Sequence, residues 1–536
     1  MNSPDQLHAD VDVAIVGSGF AGALLALALR SSGRSVALVE RGRHPRFAIG
    51  ESSTPLANLL LEEIADRYDL PRVRAYAKWG TWQRTHPDVA CGLKRGFTFF
   101  FHRLGEPFTD TEHHERQLMV AASPFDEIGD THWYRPHFDH ALVREAEAAG
   151  AEYLDETALD RFDPSGSRVM LTGQRRGRAV RITAGFVVDA SGPRGFLHHQ
   201  LGLQPAPLRW LPPTHGLYSH FENVERWDHV RPVEGTPYRP DDAALHHVFR
   251  GGWIWMLRFN NGITSAGAAL TDELASTLDV SSPERAWRQL LERLPSVSEQ
   301  FRRARAVIPF VHVPRLAFRT QQIAGRRWAM LPSAAGVIDP LLSTGFPLTL
   351  LGVTRLLDIL EGTSDAEERA DALQEYSRIT EAELDATEQL VAALYATMDD
   401  PALFKRLGLL YFAAASFSET ARRLGRPELA PGFLLHAHPQ FGEELRACAA
   451  AASSRLGHEQ RNQLIARIDR AIEPFDTAGL LDDSRRSWYP VLAGDLMAGA
   501  SKLKASGEEI YRLLERCGFD VNHSNTSAAG PTRNSA

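Results

Sequence analysis

Lys94 stands three residues before a run in which Phe97, Phe99, Phe100 and Phe101 follow almost without a break. Such a run packs as a buried strand, and an ammonium beside it loses hydration unless it is paired or gives up its proton. A lysine merely at a strand end escapes that cost by reaching water along its own stem. The stretch from Cys91 to Arg103 leaves both settings open. A second group of residues suits phosphate. Gly17, Gly19 and Gly22 form a GxGxxG turn, with Ser18, Phe20 and Ala21 between them. Gly17 permits the tight turn, Gly19 lets the backbone approach a pyrophosphate, and Gly22 lets helix and strand pack closely. Glu40 lies 23 residues beyond Gly17, where an acid accepts hydrogen bonds from ribose hydroxyls and disfavours a 2′-phosphate.

The elements that must position these residues are legible around them. VDVAIVGSGFAGALLALALRSSGRSVALVERG reads as strand, glycine turn, helix, turn and second strand, a complete βαβ unit whose helix N-terminus offers free amides to a phosphate. NAD and FAD both use this unit. GESSTP then opens an amphipathic helix, AVRITAGFVVDASG gives a strand ending in Asp189 with Gly192 in the following turn, and WAMLPSAAGVIDPLLSTGFPLTLL gives strand, loop and helix. Three separated glycine-bearing turns around one dinucleotide exceed what a small NAD domain needs.

Composition narrows the classes. A chain of 536 residues, 43% hydrophobic and 24% charged, predicts a large core in two or three structural units and excludes a wholly disordered chain. The net charge of −8 is spread along the sequence with no long basic run, so nucleic acid is not an expected partner. Three far-apart cysteines, Cys91, Cys448 and Cys517, argue against a disulfide framework and for a reducing compartment. The opening residues lack a signal-peptide layout and the apolar runs are too short to cross a bilayer, so the expectation is a cytoplasmic protein with no membrane span.

These segments resemble the flavoprotein monooxygenase superfamily and, within it, the flavin-dependent halogenases. GESSTP at Gly50 to Pro55 is similar to the loop after the ribose acid in that family, VVDASGPRGFL to its second flavin-side strand, and DPLLSTG at Asp339 to Gly345 to its flavin and halide loop. Trp253 and Trp255 resemble the start of its tryptophan-rich motif. The resemblance runs from about Val11 to Leu360. It implies an α/β fold: a Rossmann-type FAD-binding domain of the monooxygenase class over 1-363, an interleaved substrate sheet at about 205-300, and a C-terminal helical region over 364-520. It implies FAD, held by Gly17, Ser18, Gly19, Phe20, Ala21, Gly22, Glu40, Ser52, Gly192, Asp339 and Phe346, and delivered reduced by a separate flavin reductase. It further implies chloride or bromide on the backbone amides of Thr344 and Gly345, Ser343 supporting proton traffic or capping the next helix, and Trp253 and Trp255 as the wall that keeps the flavin from oxygenating substrate directly. Lys94 takes the place of the family lysine that holds hypohalous acid, hydrogen-bonded or as a haloamine, at the end of a tunnel from the flavin. An ammonium orients that oxidant and aromatic walls exclude water.

Departures from the family pattern shape the expected substrate. Met256, Leu257 and Arg258 follow the tryptophans where isoleucine and proline are usual, and Pro332 and Ser333 replace a GD dipeptide. Leu342 stands where tryptophan-acting members carry a glutamate, which removes a base that would support attack on indole. The implied substrate is an electron-rich aromatic small molecule or a carrier-protein-tethered group other than free tryptophan. A hydroxylating monooxygenase or a dehydrogenase of the same superfamily is the alternative. His132, His137 and His140 sit around a helix start, a setting for capping or packing rather than metal binding. His220, His246 and His247 are acid or base candidates that spacing does not separate. Helical patterns from Ser364 onward predict a cap on the substrate side or a partner-binding surface, and the small polar residues 521-536 read as a disordered tail.

Overall fold

The computed structural model describes residues 7–363 and 365–519; the expected disordered tail lies outside them. The first sheet is built on Leu7–Val16, which pairs in parallel with Val36–Val39 on one side and Arg178–Asp189 on the other. Glu152–Leu154 and Trp328–Met330 extend it, also in parallel. Parallel strands covered on both faces read as continuous apolar runs, which is why VAIV and VALV lack alternation. The helix Phe20–Ser31 is buried from Phe20 through Leu29, so its alanine and leucine sequence shows no polar stripe.

A second, nine-stranded sheet has the antiparallel core Thr214–Glu222, Ile263–Thr271, Gly252–Arg258 and Ala244–Phe249. Gly96–Phe101 joins it in parallel against Ala244–Phe249, and Gln117–Ala121 follows. The sheet thus draws on residues well before the 205-300 stretch.

This topology corrects the expected setting of Lys94. The lysine does not head the phenylalanine strand. It ends the strand Cys91–Lys94, which pairs with Asp130–Trp133 in a two-stranded sheet of its own. The switch between sheets is held by Arg95, whose N–H donates to the Asp242 carbonyl at 2.7 Å and whose guanidinium bonds Asp126 at 2.6 Å. Beyond it Gly96 is required by space, since a Cβ there would come within 2.1 Å of the Val120 carbonyl oxygen.

The helices Gly345–Gly362, Ala366–Ala396 and Pro401–Arg423 pack onto both sheets through one continuous core. Buried acids tie them down. Glu383 takes both Nη atoms of Arg355 at 2.6 and 2.7 Å, and Glu388 accepts from Arg319 and from the amides of Arg209, Trp210 and Leu211. Among the described residues no helix is long and apolar enough to cross a membrane.

Candidate active site

The glycine turn joins the end of Leu7–Val16 to the start of Phe20–Ser31. Gly17 adopts φ +105°, and a Cβ on Gly22 would lie 2.0 Å from the Gly17 carbonyl oxygen. Gly19 is the N-cap and no side chain caps the helix, so the first-turn amides remain directed at the turn, the arrangement that suits a pyrophosphate. Glu40 closes the far side. Its carboxylate accepts from Ser18 Oγ at 2.9 Å, the Gly42 amide at 2.8 Å and Arg46 at 3.1 Å. Burial raises its pKa, but Arg46 and these bonds outweigh that and hold the carboxyl below its ordinary range. An ionised acid here fits a ribose, and the glycine cradle fits FAD. Gly192, at φ +88°, stands in the turn that Asp189 organises by accepting from Ser191 Oγ at 2.5 Å and the Leu197 amide at 2.7 Å.

One loop connects this cradle to Lys94. The Gly50 carbonyl accepts from Arg135 at 2.8 Å, and Arg135, clamped to Asp139 at 2.7 and 2.8 Å, reaches within 3.3 Å of where a Cβ on Gly19 would sit. Two residues along, Ser52 Oγ accepts from Lys94 Nζ at 2.9 Å and the Ser53 carbonyl accepts from it at 2.5 Å. Ser52, expected to hold cofactor, therefore spends its side chain on the lysine. Lys94 is fully buried and its Nζ lies 3.9 Å from the Phe97 ring centroid. Burial pulls its pKa down to about 7, against the nearby Asp130 carboxylate, which raises it. Lys94 is thus the buried kind of lysine, with hydroxyl, carbonyl and ring for company and no direct carboxylate bond.

The Asp339 to Gly345 loop comes against the start of the first helix. Phe346 stacks on Trp133 with centroids 4.4 Å apart and meets Phe20 at 4.8 Å. Thr344 is the N-cap of Gly345–Gly362, and the space where a Gly345 Cβ would project holds no atom within 4 Å. Ser343 is not that cap. It takes the left-handed φ of +54° and its amide donates to the Pro340 carbonyl at 3.0 Å. Pro332 and Ser333 begin a short helix in which Pro332 packs on Gly352, where a Cβ would meet it at 2.2 Å.

Asp339 differs from its expected cofactor role. Its carboxylate is enclosed, accepting from Tyr395 OH at 2.8 Å and the Leu341 amide at 2.9 Å, and burial lifts its pKa to about 7 against those bonds. Trp253 Nε1 donates to the same Tyr395 oxygen at 3.1 Å. Trp255 lies 5.7 Å from Trp253 on the same face of the strand, and Gly267 opposite leaves room for its ring. The two tryptophans share one face of the strand, and Tyr395 of the Ala366–Ala396 helix joins Trp253 to the Asp339 to Gly345 loop. Tyr411, on Pro401–Arg423, likewise donates to the Leu342 carbonyl at 2.9 Å.

Sequence reasoning missed these tyrosines, and also the pair of Glu51 and His220, buried and 2.6 Å apart. That pair separates His220 from the other candidates. His246 lies flat on Phe99 at 4.5 Å, and burial brings its pKa down to about 3, so it stays neutral; His247 bonds His102 and Gln300. His132 is enclosed in its strand and His137 accepts from the Ala90 amide at 3.2 Å. Among the described residues no three metal-ligating side chains converge.

Comparison with known proteins agrees with this architecture. The family model for FAD dependent oxidoreductases matches residues 12–327. The monodechloroaminopyrrolnitrin halogenase PrnC of Pseudomonas fluorescens is 30% identical over 410 residues, spanning 74% of this chain and 70% of the relative. The tetracycline 7-halogenase of Kitasatospora aureofaciens is 32% identical over 63% of this chain and 61% of its own. A solved structure of a mutant of the halogenase PltM in complex with FAD superposes with a TM-score of 0.80 at 25% identity, covering 89% of this chain and 99% of that one.

Proposed function

The chain belongs to the flavin-dependent halogenases, and from that premise we propose that Lys94 is the residue that holds and directs the halogenating agent. Bound in reduced form, FAD supplies the chemistry that converts oxygen and halide into hypohalous acid. The observation that carries the assignment is the setting of Lys94, fully buried yet, among the described residues, hydrogen-bonded through Nζ only to Ser52 and Ser53 and resting on Phe97. A lysine kept for stability would have a carboxylate partner, because burying an unpaired charge is costly. The ammonium has three N–H donors. Two are used by Ser52 and Ser53, and the third is left to donate to the oxygen of hypohalous acid, which makes that oxygen a better leaving group and the halogen more electrophilic.

The remaining roles follow the same geometry. The amides of Thr344 and Gly345, at the start of an 18-residue helix, offer a halide the positive end of the helix dipole. Trp253 and Trp255 wall off water and substrate, and Ser343 supports proton traffic for Lys94. The cradle of Gly17 to Gly22 with Glu40, Gly192 and Phe346 holds the FAD. We place the enzyme in the cytoplasm, served by a separate flavin reductase, acting on a free or carrier-tethered aromatic other than tryptophan. Leu342 in place of an acid supports that substrate class.

The test uses purified protein loaded with chemically reduced FAD and mixed with oxygen, with and without bromide, in the presence of an electron-rich phenol. Brominated phenol formed only with bromide and lost in Lys94→Ala is the expected result. Oxygenated phenol regardless of bromide would instead favour the hydroxylase reading.

A further inference from the structure

A second lysine borders the carboxylate that acts on Lys94. Lys78 precedes the helix Trp79–Thr85 and its backbone is fixed on both sides: the Trp79 amide donates to the Gly129 carbonyl and the Lys78 carbonyl accepts from the Trp82 amide, each at 2.9 Å. Its Nζ donates to Asp130 Oδ1 at 3.1 Å, an oxygen that also accepts from Asn58 Nδ2 at 2.8 Å. Asp130 is the cross-strand partner of Lys94. The bond to Asp130 uses one of three ammonium donors, and 24% of the Lys78 side chain stays open. The open part lines a cavity of about 650 Å³ whose wall also includes Pro55, Phe97, Ala121, Tyr411 and Phe412. Phe97 is the ring on which Lys94 Nζ rests, so the ring that borders the cavity beside Lys78 also carries the Lys94 ammonium.

We propose that Lys78 binds the anionic oxygen of an acidic substrate, a phenol or enol held as its phenolate or enolate, and thereby aims the neighbouring carbon at Lys94. This rests on the halogenase reading above. Free N–H donors on an ammonium beside an apolar wall favour an oxyanion over a neutral hydroxyl. The charges facing Lys78 permit it. Glu62 from the helix Pro55–Arg67 and Glu419 from Pro401–Arg423 are both bonded to Arg423, at 3.1 and 2.8 Å, and Cys517 completes the surroundings. Asp130 is the acid bonded to Lys78 itself. Burial lowers the pKa of Lys78, but Asp130 outweighs it and the lysine stays an ammonium.

The chemical step balances. The phenol gives its proton to solvent on binding. Its ring carbon bonds the halogen as the halogen–oxygen bond of hypohalous acid breaks; the departing hydroxide takes the proton lost from that carbon and leaves as water. The halogenated phenolate is then reprotonated by solvent on release. An electron-rich anion supplies by itself the activation that a carboxylate at position 342 would otherwise provide.

The probe is 4-nitrophenol, whose colour reports its ionisation without turnover, titrated against pH on the FAD-loaded full-length enzyme. Its apparent pKa on the wild-type protein is expected to fall by about one unit, tenfold in ionisation constant, with the shift kept in Lys78→Arg and abolished in Lys78→Met. With a phenol substrate, Lys78→Met lowers kcat/KM by about 100-fold and moves the rising limb of the pH profile to the phenol's solution pKa; the methyl ether of that phenol reacts equally with both proteins. A probe unbound or unshifted on the wild type, or equally shifted on Lys78→Met, overturns the proposal, and the wild-type result decides even if Lys78→Met does not fold. Lys94→Ala separates the two readings. There the probe shift survives and halogenated product disappears, whereas retained product would sink the role of Lys94 and leave that of Lys78 standing.

Discussion

At the scale of single residues, Lys94 is a residue that folding alone would not choose. Lys94 is buried without a direct carboxylate bond, and replacing it with alanine is expected to lower formation of halogenated product by about 10²–10⁴-fold, the range for a positioned proton donor. With the methyl ether of the phenol as substrate, which has no phenolic proton to lose, a working ammonium makes the rate fall as pH rises through about 7, the value to which burial has brought this lysine; a rate that rises through that range with this substrate points to the neutral amine and a haloamine. Stability moves in the opposite sense. Between about 7 and 10.5 the unfolded lysine binds a proton that the folded one has released, so wild-type stability from this group increases with pH across that window. Lys94→Met lacks that dependence. Its melting temperature relative to wild type is expected to be highest near pH 7 and to decline steadily toward pH 10, which thermal melts at several pH values will read.

At the scale of elements, the site depends on where strands change sheets and which helices close over them. The GxGxxG unit was legible because its outer glycines are demanded by local backbone contacts: a Cβ on Gly17 would lie 2.5 Å from the Ala190 carbonyl oxygen and one on Gly22 2.0 Å from that of Gly17. The sheet switch at Arg95 was not. Its sequence, one polar residue between two strand-like stretches, reads the same whether the chain continues straight or crosses to another sheet. Tyr395 and Tyr411 were hidden for a similar reason: on amphipathic helices an aromatic facing the core has the spacing of any packing residue, and only the fold shows that their hydroxyls reach the Asp339 to Gly345 loop. Their weight can be measured. Tyr395→Phe leaves the Asp339 carboxylate short of a donor and Trp253 Nε1 without its acceptor in a buried site, which is expected to cost about 1–3 kcal/mol in urea unfolding. An unchanged midpoint would show that the bonds from Tyr395 to Trp253 and Asp339 contribute nothing to holding either in place.

At the scale of the whole molecule, the helical region is part of the enzyme core. Glu388 is fully buried and its Oε1 gathers the amides of Arg209, Trp210 and Leu211 at 2.6, 2.8 and 3.2 Å, while Oε2 takes Arg319 at 3.2 Å. One side chain of the Ala366–Ala396 helix thus fixes the approach to the second sheet and the strand Phe318–Arg319, which pairs with Gly336–Val337 just before the Asp339 to Gly345 loop. Two independent units would not place such a group at their junction, because removing it leaves several buried donors unsatisfied at once. Glu388→Ala is therefore expected to destabilise the protein by about 3–5 kcal/mol. It should also lower the calorimetric transition as a single peak, with release of bound FAD, followed by flavin fluorescence, moving down by the same interval. If the helices unfolded by themselves, the variant would show a split transition and flavin release would keep its wild-type midpoint. Coincident movement means that Lys94, the Asp339 to Gly345 loop and the two tryptophans are held by helices distant from them in sequence, and that the site exists only when the whole chain has folded.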